Sequence, residues 1–183
     1  MSQPRRRKLQ ILIIAWVLTA AVSVIAQKAP SIVSRSDWGA KKPVGEGKKH
    51  DIRFITIHHT ATAQKPDVEI AVKLRNLQAF SQRDDKLDTG KFKPAWFDIP
   101  YHYYIAVDGK IAEGREIEYA GDTNTEYDPT GHALVVVEGS FNREQPTAKQ
   151  VRSSRGSHAN TRSPPRTSWA MTTTRRPDAR ARI

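Results

Sequence analysis

Residues 52–62 read IRFITIHHTAT, and the fold is decided there. Ile52–Ile57 is dominated by β-branched and aromatic residues with a single charge inside it, which predicts a buried strand. The strand runs into His58-His59-Thr60, so consecutive imidazoles face opposite sides if it continues that far. Downstream, residues 67–82 set Ile70, Leu74, Leu77 and Phe80 near one face at helical spacing, with Asp67 as the expected N-cap. Residues 83–98 are polar and read as a loop. Tyr101–Val107 and Lys110–Glu113 read as two strands joined by a tight Asp108-Gly109 turn. On that reading Tyr101 and Tyr103 share one face and Tyr104 takes the other. Ala133–Val137 is an apolar run suited to an inner strand, and Ser34–Pro43 is a turn-rich lead-in. Strand, helix, hairpin and inner strand together predict an α/β domain with a mixed central β-sheet flanked by helices.

The chain has 183 residues, no Cys and a net charge of +11. That length suits one domain, and the missing Cys excludes disulfides and Fe–S clusters. The charge is uneven: residues 1–26 carry +4, residues 151–183 carry +7, and residues 27–150 sum to zero. A polyanion partner is therefore poorly supported, and no nucleic-acid role is expected of the neutral centre.

The two ends differ from the centre. Arg5-Arg6-Arg7-Lys8 precedes an apolar run from Ile11 to Ala26, which fits a secretory signal peptide or an N-terminal anchor attached through residues 9–26. Either one expects an exported domain, in the periplasm, the cell envelope or the medium. From Val151 the composition turns to Arg, Ser, Thr and Pro with almost no aliphatics, which predicts a disordered tail over 151–183.

The central pieces resemble the zinc N-acetylmuramoyl-L-alanine amidases, a family shared with peptidoglycan recognition proteins and phage lysozyme-type amidases. The resemblance is carried by SRSDWGA (Ser34–Ala40), ITIHHTAT (Ile55–Thr62), IPYHYYIAVDGKIAEGR (Ile99–Arg115), AGDTN (Ala120–Asn124) and VVVEGSF (Val135–Phe141), in family order. It implies a mixed sheet packed by helices, a groove that holds a peptidoglycan stem, and cleavage of the amide between muramic acid's lactyl group and L-alanine. It also implies Zn2+ as cofactor, peptidoglycan or muropeptides as partners, and a monomer. His58 matches the family's first zinc ligand, at a strand end that fixes the imidazole while leaving metal positions open. In such a site zinc brings a bound water's pKa toward ~7 and polarises the scissile carbonyl. Tyr101 matches the active-site tyrosine, placed to hydrogen-bond that water or the developing oxyanion. His59 reads as structural or groove-lining, His102 and Tyr103 as groove or core, and Glu138 as structural.

The resemblance also implies two later ligands, a His in a Gly-His-Asp-like segment and a Cys or Asp eight residues on. After Ser140 only His158 is available, without a preceding Gly, and His132 stands where the family has no ligand. Read from the third base of each codon, Trp169-Ala170-Met171-Thr172 gives Gly, then a position His satisfies, then Asp. Asp178 through Ala181 permits Cys-Pro-Gly in the same frame, with the His and Cys eight codons apart. Residues 151–183 thus read as the family's C-terminal part in a shifted frame, with the shift close after Gln150. The C-terminal element, including a helix covering one sheet face, is then missing. One imidazole does not hold zinc usefully. The expectation is an amidase by descent with impaired chemistry. The alternatives are a muropeptide-binding module without catalysis and, more remotely, an anionic-polymer site in the Arg-rich tail.

Overall fold

The computed structural model describes residues 31–87 and 90–156, so the predicted signal or anchor and most of the Arg-rich tail lie outside the described residues. The strands are β1 (Ile32–Val33), β2 (Phe54–His59), β3 (Asp85–Lys86), β4 (Phe92–Lys93), β5 (Tyr103–Ile105), β6 (Ile111–Glu113) and β7 (His132–Val137). Helix α1 is Ile70–Ser81 and α2 is Ala148–Gly156.

Five strands form one sheet in the order β1-β6-β5-β7-β2. β7 runs parallel to both neighbours, β2 and β5, while β5 and β6 are antiparallel across the Asp108-Gly109 turn. The sheet is therefore mixed, as expected. Gly109 adopts φ +83°, a conformation open to glycine at no steric cost, and its N–H donates to Ala106 O at 2.9 Å. Residues from Ala133 to Val137 are all buried because β7 has a strand on each side and packing on both faces. β2 has a similar sequence but lies at the sheet edge, so Phe54 and Ile57 stay 42% and 44% exposed. The expected buried strand is thus an edge strand: pairing order, which no local pattern encodes, decides its burial.

On one face of the sheet Trp38, Ile70, Leu74, Ile99, Tyr104 and Val136 form a core under α1. The Ser34–Pro43 segment contributes Trp38, whose indole N–H donates to Glu113 O at 2.7 Å. On the other face Ile105, Ile111, Val135 and Val137 pack with Tyr103 and Phe141.

Four local expectations are corrected. The helix starts at Ile70 with Glu69 as N-cap rather than Asp67, after a turn in which Val68 N–H donates to Lys65 O. Its buried face is Ile70, Leu74, Gln78 and Ser81, with Leu77 and Phe80 only half-buried. Gln78 can enter the core because its amide is satisfied by Lys41 O and Asp98 Oδ1, at 3.0 and 2.8 Å. The polar segment 83–98 contains the β3–β4 hairpin, and its Lys93 is fully buried. The Lys93 ammonium donates to Ser81 O, Arg83 O and Pro94 O at 2.8–3.0 Å and lies 4.5 Å from the Trp96 ring centroid. Three carbonyls and an aromatic face replace its water. Finally, α2 carries the chain as a helix to Gly156, past the point where disorder was expected. Thr147 and Gln150 form a reciprocal N-cap: Gln150 N–H donates to Thr147 Oγ1 at 3.1 Å, and Thr147 N–H to Gln150 Oε1 at 2.9 Å.

Candidate active-site groove

A groove of about 1150 Å³ opens on the α1 side of the sheet. Its floor includes His58, Tyr101, Tyr104 and Leu134, with α1 as one wall and the 122–127 segment as the other.

His58 is the fifth residue of β2. Its strand register against Val136 turns the ring toward the α1 face, and His59 turns to the other face. There His59 Nδ1 accepts Phe141 N–H at 3.0 Å, which favours the structural over the groove-lining of the two roles read from the sequence. The chain bends sharply just beyond, with Ala61 at φ +56°, an uncommon value for a residue with a Cβ. Thr60 fastens the bend, because its hydroxyl accepts Gly139 N–H at 2.9 Å and ties the end of β2 to the end of β7.

Among the described residues, His58 Nε2 is the buried side-chain polar atom with no hydrogen-bond partner. Burial, then the nearby His132 and His59, hold the imidazole below its ordinary pKa, so it stays neutral. An unpartnered, desolvated nitrogen costs free energy on folding, and such an atom facing a groove is a candidate for ligand or metal contact.

The Tyr101 ring centroid lies 5.8 Å from that of His58. Burial pushes the phenol above its ordinary pKa and keeps it a proton donor. The alternation expected for residues 101–104 fails, because β5 begins only at Tyr103. Tyr101 and Tyr104 therefore share the groove, while Tyr103 packs on the other face. Between them His102 is core: Nδ1 accepts Leu134 N–H at 2.8 Å and Nε2–H donates to Tyr119 O at 2.9 Å.

Behind Tyr101, buried Arg115 donates through Nε to Ile99 O at 2.8 Å and through Nη2 to Asp98 O at 3.0 Å. It also bonds Ala120 O and the Asp122 carboxylate, so one guanidinium joins the strand approach carrying Tyr101 to the AGDTN turn. Glu138 is structural as read: it is buried, paired with Lys73 at 2.8 Å, and accepts Lys65 N–H at 2.8 Å. Burial first, and then the nearby Glu138 charge, push the Tyr104 phenol above its ordinary pKa and hold it protonated.

The sequence reading missed Tyr127, whose ring lies 6.1 Å from His58 and 5.3 Å from His132. It sits in an irregular segment with no period to mark it. His132 is not brought to His58 as a co-ligand; its Nδ1 bonds Thr56 Oγ1 at 2.7 Å. Among the described residues no three His, Cys, Asp or Glu side chains converge as a metal site. His58 thus fits one position of the expected zinc site, and the described residues do not complete it.

A family model described as N-acetylmuramoyl-L-alanine amidase matches residues 48–162. A pig protein named N-acetylmuramoyl-L-alanine amidase is 29% identical over 128 residues, covering 69% of this chain and 20% of the pig protein. Peptidoglycan-recognition protein LE of Drosophila melanogaster is 30% identical over 127 residues, covering 68% of this chain and 34% of the fly protein. The chain thus spans a fifth to a third of these two curated relatives. Among solved structures, Drosophila peptidoglycan recognition protein SD aligns with a TM-score of 0.55 at 29% identity, covering 69% of this chain and 70% of the other. Peptidoglycan recognition protein LE in complex with tracheal cytotoxin aligns at 0.57 and 29%, covering 70% and 71%. The mixed sheet agrees with these matches, and the chain belongs to the N-acetylmuramoyl-L-alanine amidase family, whose relatives here include the peptidoglycan recognition proteins.

Proposed function

We propose that the groove binds a muropeptide and that this chain, an amidase by descent, holds the stem without cleaving it. The observation that carries the reading is the unpartnered His58 Nε2 beside Tyr101 on the groove floor. His58, kept neutral, offers a lone pair; Tyr101, kept protonated, offers an O–H donor to a ligand carbonyl. Those roles suit the ends of an amide, the bond the family name specifies.

Zinc, when bound in an intact family site, would supply an activated water and a polarised carbonyl. His58 is the residue of this chain that we assign to it. The described residues provide one such donor where three protein ligands are the rule for catalytic zinc. The shifted-frame reading of the tail accounts for the other two. Export of the chain to a wall-containing compartment belongs to the same proposal.

The test is a pair of measurements on the purified chain. Calorimetric titration with a muropeptide should show saturable binding that His58→Ala weakens, and a peptidoglycan zymogram should show no clearing. A chain with the alternative frame restored after Gln150 should clear the gel. Clearing by the chain as it stands would overturn the binder assignment, and absence of any muropeptide binding would overturn the groove.

A further inference from the structure

A row of aromatic rings runs along the groove floor and continues past its end. Between centroids, Tyr101 and His58 lie 5.8 Å apart, His58 and Tyr127 6.1 Å, Tyr127 and His132 5.3 Å, and His132 and Phe54 4.9 Å. Tyr101, His58 and Tyr127 line the groove, and His132 and Phe54 carry the row beyond it. They do so because Phe54, Thr56 and His58 alternate onto one face of β2, with His132 paired across from Phe54. From His58 back to Phe54 the strand covers about 13 Å, longer than one pyranose ring. Phe54 and Tyr127 are exposed, at 42% and 36%, with His132 half-buried between them.

The shelf formed by these three rings mixes two chemistries. Ring carbon supplies apolar surface, and polar atoms sit along it: Thr56 Oγ1 lies 2.7 Å from His132 Nδ1 and 3.4 Å from the Tyr127 hydroxyl. Asp128 and Arg53 act on His132 with opposite charge, so neither sign dominates there. A wholly apolar partner would strip water from the polar atoms and return nothing. A sugar suits both chemistries, because the C–H face of a pyranose packs on an aromatic ring while its hydroxyls replace the lost water.

Resting on the muropeptide reading above, we propose that Tyr127, His132 and Phe54 form a saccharide subsite that seats the glycan beyond muramic acid, so that this chain favours wall fragments carrying at least two sugars. The groove continues past the C-terminal end of β2, where Thr60, Thr62 and Lys65 line it, and the shelf runs the opposite way along the strand. An amide held at His58 and Tyr101 therefore has its stem in the groove and its sugars on the shelf.

The test titrates the full chain with two probes that share a stem and differ by one sugar, GlcNAc-MurNAc-L-Ala-D-isoglutamine and MurNAc-L-Ala-D-isoglutamine. The disaccharide form should bind at least about fivefold more tightly. Phe54→Ala should bring the two affinities together by weakening the disaccharide form. Phe54 is exposed on an edge strand, so this truncation removes little core. Should the variant still fail to fold, Phe54→Leu keeps apolar bulk, removes the ring, and should lower the ratio as well. Equal affinities in the unaltered chain, or a ratio that the Phe54 variant leaves unchanged, overturn the subsite and leave the groove reading standing. Sedimentation as a dimer that Phe54→Ala disrupts would give the shelf to a second copy of the chain and overturn it too. If neither probe binds, the groove reading falls and the subsite falls with it.

Discussion

His58, half-buried, and His102, buried, are both imidazoles whose pKa desolvation lowers, yet they belong to opposite regions of the molecule. His102 sits behind the groove with each ring nitrogen bonded to backbone, in a scaffold that also contains Arg115 and Asp98. His58 sits on the groove floor with Nε2 unpartnered. Desolvation is common to the two; the number of hydrogen bonds left over is not. Where every polar atom is matched, the residue builds shape, and where one is left over, it can engage a ligand.

The contrast breaks most visibly at Arg115. Replacing it by Leu strips partners from three carbonyls and from Asp122, and should destabilise the domain by about 3–5 kcal/mol. Urea unfolding measures this; a loss below about 1 kcal/mol would show that water replaces the guanidinium easily.

Next comes the pH response of His102, whose pKa is lowered to about 4 from 6.5, first by burial. The unfolded chain takes up this proton before the folded one does. Its stabilising contribution is therefore full above pH 6.5 and is lost as pH falls toward about 4, a change of roughly 3 kcal/mol. His102→Gln should remove that part of the pH dependence. Parallel stability curves for the two proteins between pH 7 and 4.5 would show that the ring does not resist protonation.

The smallest effect belongs to His58. His58→Leu removes an unsatisfied nitrogen at similar volume, so thermal stability should stay within about 1 kcal/mol or improve. Muropeptide binding should nonetheless suffer. A large destabilisation would move His58 into the scaffold class and erase the contrast.

Much of the frame was legible because it rests on local signals. The β-rich run into His58, the Asp108-Gly109 turn and the apolar β7 each carry their own pattern, and the resemblance supplied their order. What escaped depends on partners distant in sequence. β2 is exposed because β7 borders it on one side only. Tyr101 joins Tyr104 because the strand starts two residues after it, which alternation cannot foresee. Gln78 and Lys93 are polar residues that no local pattern marks as core, and they are buried because carbonyls and a carboxylate on other segments satisfy them. The Thr147/Gln150 cap was readable as a T-x-x-Q signature, and the Arg-rich composition beyond it masked the helix.

Lys93 has a practical consequence. An amine deep inside three carbonyls and an indole is shielded from acylating reagents for as long as the hairpin stays closed. Brief treatment with acetic anhydride, followed by mass spectrometry, should tag the exposed lysines and spare this one. The residue then serves as a built-in gauge of integrity for any preparation or variant of the domain.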